Sequence, residues 1–164
     1  MSEALEGWSD FNVAMVGATA ALAGLLIVAM SVNISTIMSS ATLPARAASA
    51  IAALVLAIVA GALGLMPGQT DVTYGLEILL AGAVAAAFHL HAMRVIARED
   101  RVSAADRFGK SILGVIPIAA FLVGGVLILV GTGAAGLVAV ALGSLLAVIA
   151  AIVMAWVMLV EVLR

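Results

Sequence analysis

Apolar residues run in five long blocks, about Phe11 to Ile34, Ala47 to Met66, Tyr74 to Ile96, Ile112 to Val130 and Gly136 to Leu163. Each matches or approaches the roughly 20 residues that a helix needs to cross the hydrocarbon core. No polar alternation of period two interrupts them. In lipid every backbone amide must be satisfied inside its own segment, so the blocks predict helices. The expected architecture is all-α: a polytopic bundle of five transmembrane helices forming a single domain over residues 1–164, with one polar loop near 97–111.

Composition supports that reading. The chain is 66% hydrophobic and 10% charged, with a mean hydropathy of +1.34. A soluble domain dresses its surface with roughly a quarter charged residues, so most of this outer surface is expected to face a lipid bilayer. The net charge of −2 gives no electrostatic footprint for nucleic acid. Cysteine is absent, which removes disulfides and thiolate metal sites. The opening "MSEALEGWSD" has three acids and no base, unlike the positive start of a secretory signal.

Charge orders the connections. Arg46 lies between blocks one and two; Arg94, Arg98, Arg101, Arg107 and Lys110 surround the third connection; Arg164 follows block five. With five alternating spans, all seven basic residues fall on one side. Basic residues near span ends mark the cytoplasmic face. The expected topology is therefore N-terminus outside and C-terminus cytoplasmic, in a multi-pass inner (cytoplasmic) membrane protein. In the third connection, Ser103 and Asp106 have the spacing of a helix cap, so span four is expected to start near Ala104 and to meet Pro117 inside the bilayer.

One motif points elsewhere. Gly131, Gly133 and Gly136 match G-x-G-x-x-G, the phosphate-binding turn of dinucleotide folds. That turn needs a strand before it and an acid about 20 residues on for the ribose. Here the flanking blocks are membrane-length and Trp156 stands where the acid should be. The glycines read as a tight turn between antiparallel spans, and no nucleotide, other cofactor or metal is expected.

Small residues recur at helical spacing. In the first block Asp10, Ala14, Gly17, Ala21, Gly24, Val28, Ser31 and Ser35 follow one another at steps of four and three, with nothing larger than valine. The last block carries Ala135, Ala139, Gly143, Ala147, Ala151 and Ala155, and the second carries Ala50, Ala53, Ala57, Ala60 and Gly64. Membrane helices associate where small side chains let backbones approach. The expected packing seam is Gly17, Ala21 and Gly24 with Gly143, Ala147 and Ala151. Two uses of the first stripe are open: packing inside one bundle, or facing a symmetry axis as a subunit contact or narrow pore with Asp10 at its outer mouth.

Ionisable groups in a membrane are costly and each is a site hypothesis. Glu77 stands about a turn inside span three with no base on its side. It reads as a proton or cation site, or as an interfacial carboxylate; Asn12 is a candidate partner. His89 and His91 point about 200° apart on a helix, so they cannot chelate one metal from that helix alone. His91 falls near the Glu77 face, allowing a polar path past Ala81, Val84 and Phe88; hydrogen bonding in the packing is the other reading. Ser31, Asn33, Ser35 and Thr36 cap or hydrate the inner end of span one, or line a vestibule. Glu161 and Arg94 either pair or reach separately to the interface.

The stretches "WSDFNVAMVGATAALAGLLIVAMSVNI", "LPARAA" and "MPGQ…YGLE" resemble an uncharacterised family of small multi-span bacterial membrane proteins. The resemblance covers the first half of the chain and implies a membrane class without an activity. With no catalytic constellation in view, the expectation is a non-enzymatic homo-oligomer that gives a small ion or proton a path through Asp10, Glu77, Ser31, Ser35 and His91. The alternative is a non-conducting accessory or scaffold subunit that binds another membrane protein.

Overall fold

The computed structural model describes residues 3–39, 43–97 and 104–162. These form helices α1 (Glu3–Glu6), α2 (Ser9–Val32), α3 (Ile34–Ser39), α4 (Leu43–Gly64), α5 (Asp71–Ala97), α6 (Ala104–Leu129) and α7 (Gly133–Val162). Four of them (α2, α4, α5 and α7) are long and apolar enough to cross a membrane, while α6 contributes a shorter apolar stretch, Gly114–Leu129. The bundle is all-helical among the described residues, as the hydropathy blocks require. Helix α6 is described from Ala104 onward and runs through the buried Pro117. The Ser103–Asp106 cap and the Glu161 side of a pair with Arg94 lie outside the described residues.

Local chemistry sets the ends. Helix α5 starts behind Thr70: its hydroxyl accepts from the Thr73 amide at 3.2 Å, and the Thr73 hydroxyl accepts from the Thr70 amide at 3.1 Å. This reciprocal pair has the logic of a capping box, satisfying two amides that the first turn leaves open. Helix α6 ends in a Schellman cap. Gly131 takes φ +86, its amide reaches the Ile128 carbonyl at 3.2 Å, and the Thr132 amide reaches Leu127 at 3.0 Å. A left-handed residue at that position suits glycine because it has no Cβ. Helix α7 resumes at Gly133, so the G-x-G-x-x-G match is a helix cap and the first turn of the next helix. The turn is shorter than the Gly131–Gly136 connection expected from sequence.

Two further differences concern the N-terminal third. The connection after span one is helical: α2 breaks at Asn33, and α3 follows, with Ile37 buried. The acidic N-terminus also contains a helix, α1, whose Leu5 is fully buried in the core beside Tyr74, Phe121 and Leu137. A single leucine among polar residues gives no periodic signal, which is why the sequence pattern passes over it.

Helix α4 is central, touching α2, α5, α6 and α7. Helices α4, α5, α6 and α7 close a ring, and α2 lies against α4 and α7. Peripheral placement shows in burial: half of the apolar window of α4 and of α7 is buried, against 22% for α2. The alanine and glycine ridges predicted for spans two and five serve this interior. Ala53, Ala57 and Ala60 of α4 and Ala147 and Ala151 of α7 are buried, and Gly143 lies against the Phe121 ring.

The tightest approach joins α6 to α7. A Cβ on Gly124 would stand 2.9 Å from the Gly136 carbonyl oxygen, and one on Gly136 would stand 2.8 Å from the Gly124 oxygen. Gly125, the next residue, turns to α5, where a Cβ would meet the Gly75 oxygen at 3.2 Å. Backbone cannot yield as a side-chain tip can, so Gly124→Ala is expected to destabilise the bundle by about 1–3 kcal/mol. Gly17→Ala, with nothing within 4 Å, should be neutral or stabilise by up to about 1 kcal/mol through helix propensity. Unfolding in mixed micelles checks the pair; equal effects would contradict this packing.

Candidate functional site

Two polar clusters, a small-residue stripe and one apolar furrow stand out, and each grows from helix geometry. The first is at the start of α5. Gln69, buried just before the helix, donates from Nε2 to Glu77 Oε2 at 2.5 Å. Its Oε1 accepts from the Thr73 hydroxyl at 2.9 Å. Thr73 and Glu77 are one turn apart on α5, so the loop glutamine bridges two successive turns. Glu77 is thus engaged from its own connection. Asn12, the partner proposed from sequence, is placed against Gly64 and the Tyr74 ring instead. Tyr74 is buried and donates to the Ala60 carbonyl at 3.2 Å, tying α5 to α4.

The second feature is a Ser49–His89 pair. Ser49 Oγ and His89 Nδ1 are hydrogen-bonded at 2.5 Å, and both residues are buried. Gly114 of α6 completes the cluster, since a Cβ there would run into the imidazole ring. Three helices therefore meet around one imidazole. The two histidines separate as the 200° rule requires: His89 is buried, while His91 is exposed. Sequence reasoning gave weight to His91 and missed Ser49 and Gly114. The available signal was that α4 and α5 run antiparallel, which brings a serine near the start of one level with a histidine near the end of the other.

The third feature is the first-span stripe. Asp10, Ala14, Gly17, Ala21, Gly24, Val28, Ser31 and Ser35 are all exposed on this chain. The buried face of α2 is Asn12, Met15, Thr19, Ala23 and Leu26, which follows the same heptad spacing displaced by two residues. Two residues turn a helix by about 200°, so the small stripe points directly away from the bundle. The small partners at the internal contact belong to α4: Cβ atoms on Gly61 and Gly64 would collide with Val16 and Asn12. Gly17, Ala21 and Gly24 are therefore not a seam within the chain, in contrast to Gly143, Ala147 and Ala151.

Polar groups at the far end of α2 satisfy the helix itself. Ser31 Oγ donates to the Ile27 carbonyl at 2.9 Å, and Asn33 Nδ2 to Ala29 at 3.0 Å. Such i to i−4 bonds let hydroxyls and amides sit on a membrane helix. They leave the Ser31 proton engaged with backbone, whereas Ser35 and Thr36 are exposed at the start of α3.

Within this chain the face joining Glu77 to His91 is apolar between them. Ala81, Val84 and Phe88 form one wall of an apolar furrow of about 510 Å³ between α4 and α5, opposite Ile51, Val55 and Val59. Among the described residues, no group of three or more His, Asp or Glu side chains is placed to hold a metal ion.

No family model, curated protein or solved structure matches this chain.

The Ser49 hydroxyl is expected to contribute through its bond to a buried imidazole. Ser49→Ala should cost about 1–3 kcal/mol, the range for stranding a buried polar partner. Denaturant titration in micelles measures it; an unchanged midpoint would mean the contact carries no net energy.

Proposed function

We propose that the chain is a multi-pass integral membrane protein of the bacterial inner membrane that self-associates through α2, and that the assembled small-residue stripes give a small cation or proton a path. The observation that supports this reading is the exposure of the whole stripe from Asp10 to Ser35. Lipid gains nothing from glycine and alanine, whereas a neighbouring helix gains close backbone contact. Copies arranged about an axis would bury the stripes against one another and bring their Asp10 carboxylates together. Rings of acidic side chains select cations at pore mouths. Glu77 belongs to a different helix and is held by Gln69, so the proposal puts Asp10 on the path and Glu77 beside it. The protein is read as non-enzymatic, with N-terminus outside.

A second reading has a specific observation behind it. Asp10 is the sole ionisable group among the eight stripe positions, and a mostly apolar small-residue face also suits a scaffold subunit that docks on a different membrane protein.

Liposome flux with the purified chain separates the two. The wild type should conduct cations as a homo-oligomer, and Asp10→Asn should reduce flux or alter selectivity by about tenfold, the effect of roughly 1.4 kcal/mol at the mouth. Gly17→Leu with Gly24→Leu should abolish both oligomer and flux while leaving the unfolding midpoint near wild type, because a Cβ at either position would meet nothing within 4 Å beyond its own stretch of helix. Liposomes as tight as empty ones, together with a monomeric wild type, would leave the scaffold reading.

A further inference from the structure

Glu77 is an ionisable side chain in a membrane-length helix, a costly place for one, and the α2 stripe makes no use of it. It stands less than two turns from the start of α5 and is half-buried. Around it runs a chain of groups that can each give or take a hydrogen bond. Gln69 is buried, with Nε2 at 2.5 Å from Glu77 Oε2 and Oε1 at 2.9 Å from the Thr73 hydroxyl. That hydroxyl has two further acceptors in reach, the Thr70 carbonyl at 3.0 Å and the Thr70 hydroxyl at 2.9 Å. A carboxylate only accepts, whereas a carboxylic acid also donates once. An amide has its donor and its acceptor at two ends of nearly the same shape, so half a turn of the Gln69 amide exchanges them in place.

We propose that Gln69, Thr73 and Glu77 form a proton-binding site, in which Glu77 takes a proton from water at this end of the bundle and the Gln69 amide turns over to match it. With Glu77 ionised, Gln69 Nε2 donates to the carboxylate and the Thr73 hydroxyl donates to Gln69 Oε1. With Glu77 protonated, its new O–H donates to Oε1, Nε2 donates to the Thr73 oxygen, and Thr73 turns its own proton to the Thr70 carbonyl. The Thr73 oxygen has the capacity: it accepts from the Thr70 amide and keeps a second lone pair for Nε2. One O–H bond forms on Glu77, a hydronium ion is left as water, and one negative charge disappears. Each of the three side chains keeps its partners in both states, so the α4–α5 turn stays closed. The site is independent of self-association through α2. Other ionisable groups leave it this role. On α5, Asp71 stands 3.8 Å from where a Cβ of Gly133 would lie, toward α7, and Tyr74 is tied to the Ala60 carbonyl. Helices α4 and α6 pack against α5. The one ionisable residue of α4, Arg46, is near its opposite end, and α6 has none from Gly114 to Leu129.

Nuclear magnetic resonance of the Gln69 amide tests the site. Gln69 is the single glutamine of the chain, so isotopic labelling of the glutamine side-chain nitrogen gives one reporter in the full-length protein in micelles. The pH is lowered across the range in which the bundle stays folded. The Nε2 protons should titrate with one inflection and exchange their nearest neighbour in Overhauser spectra, from the Glu77 side chain to the Thr73 side chain. Glu77→Met should lose the inflection. Asp71→Asn should keep both the inflection and the exchange of neighbours. Were Glu77→Met not to fold, the wild type and Asp71→Asn would still decide. A Gln69 resonance that does not move across that range, or one that titrates while Nε2 keeps Glu77 as its neighbour, would overturn the site. So would an inflection that survives in Glu77→Met or disappears in Asp71→Asn.

Discussion

The structure depends on how closely two helix backbones can approach where hydrophobicity gives no reason to pack. In water, burying a leucine is its own driving force; in lipid the tails are as apolar as the side chain. What remains is van der Waals contact, weak per atom pair and large only when many atoms meet. Gly124 and Gly136 bring α6 and α7 together at a spacing that a single Cβ would break. Gly125 and Gly75 allow a looser approach of α6 to α5, where an added Cβ would meet mainly the Leu79, Leu129 and Ile128 side chains. Alanines along α4 let it pack closely against α2, α5 and α7. Polar side chains lock these contacts rather than create them: Tyr74 to the Ala60 carbonyl, and Ser49 to His89.

Seen in that light, α2 is the exception. It joins the ring through its larger residues, including Met15 and Leu26, while its smallest residues face outward. By contrast Ala53, Ala57 and Ala60 of α4 and Gly143, Ala147 and Ala151 of α7 are buried inside the bundle. A helix that spends its packing-competent face on the exterior is arranged for a neighbour the single chain does not contain. That asymmetry carries the proposal of self-association. The furrow between α4 and α5 is a different kind of surface, walled by branched and aromatic side chains.

Much of the fold was legible because a membrane span is the least ambiguous of sequence signals. The apolar blocks and the reading of the G-x-G-x-x-G match as a turn between helices follow from length and spacing. What remained illegible has physical causes. A heptad stripe of glycine and alanine has the same appearance whether it meets its own bundle or another copy. The competing face of α2, offset by two residues, mixes Asn12 and Thr19 with apolar residues, so composition alone could not rank the two. Glu77 was visible as a costly group, but its partner Gln69 lies in a connection where side-chain direction has no periodicity. His89 and Ser49 are forty residues apart, and only the antiparallel pairing of α4 with α5 joins them.

The central claim is that the small face of α2 meets a second copy of the same face. Since the chain has no cysteine, single cysteines at positions 20 to 28, oxidised in intact membranes, report that contact directly. The account predicts disulfide-linked dimers at Ala21→Cys, Gly24→Cys and Val28→Cys, and none at Ala23→Cys or Leu26→Cys on the buried face. Absence of dimers at all these positions, or crosslinking without helical periodicity, would contradict it.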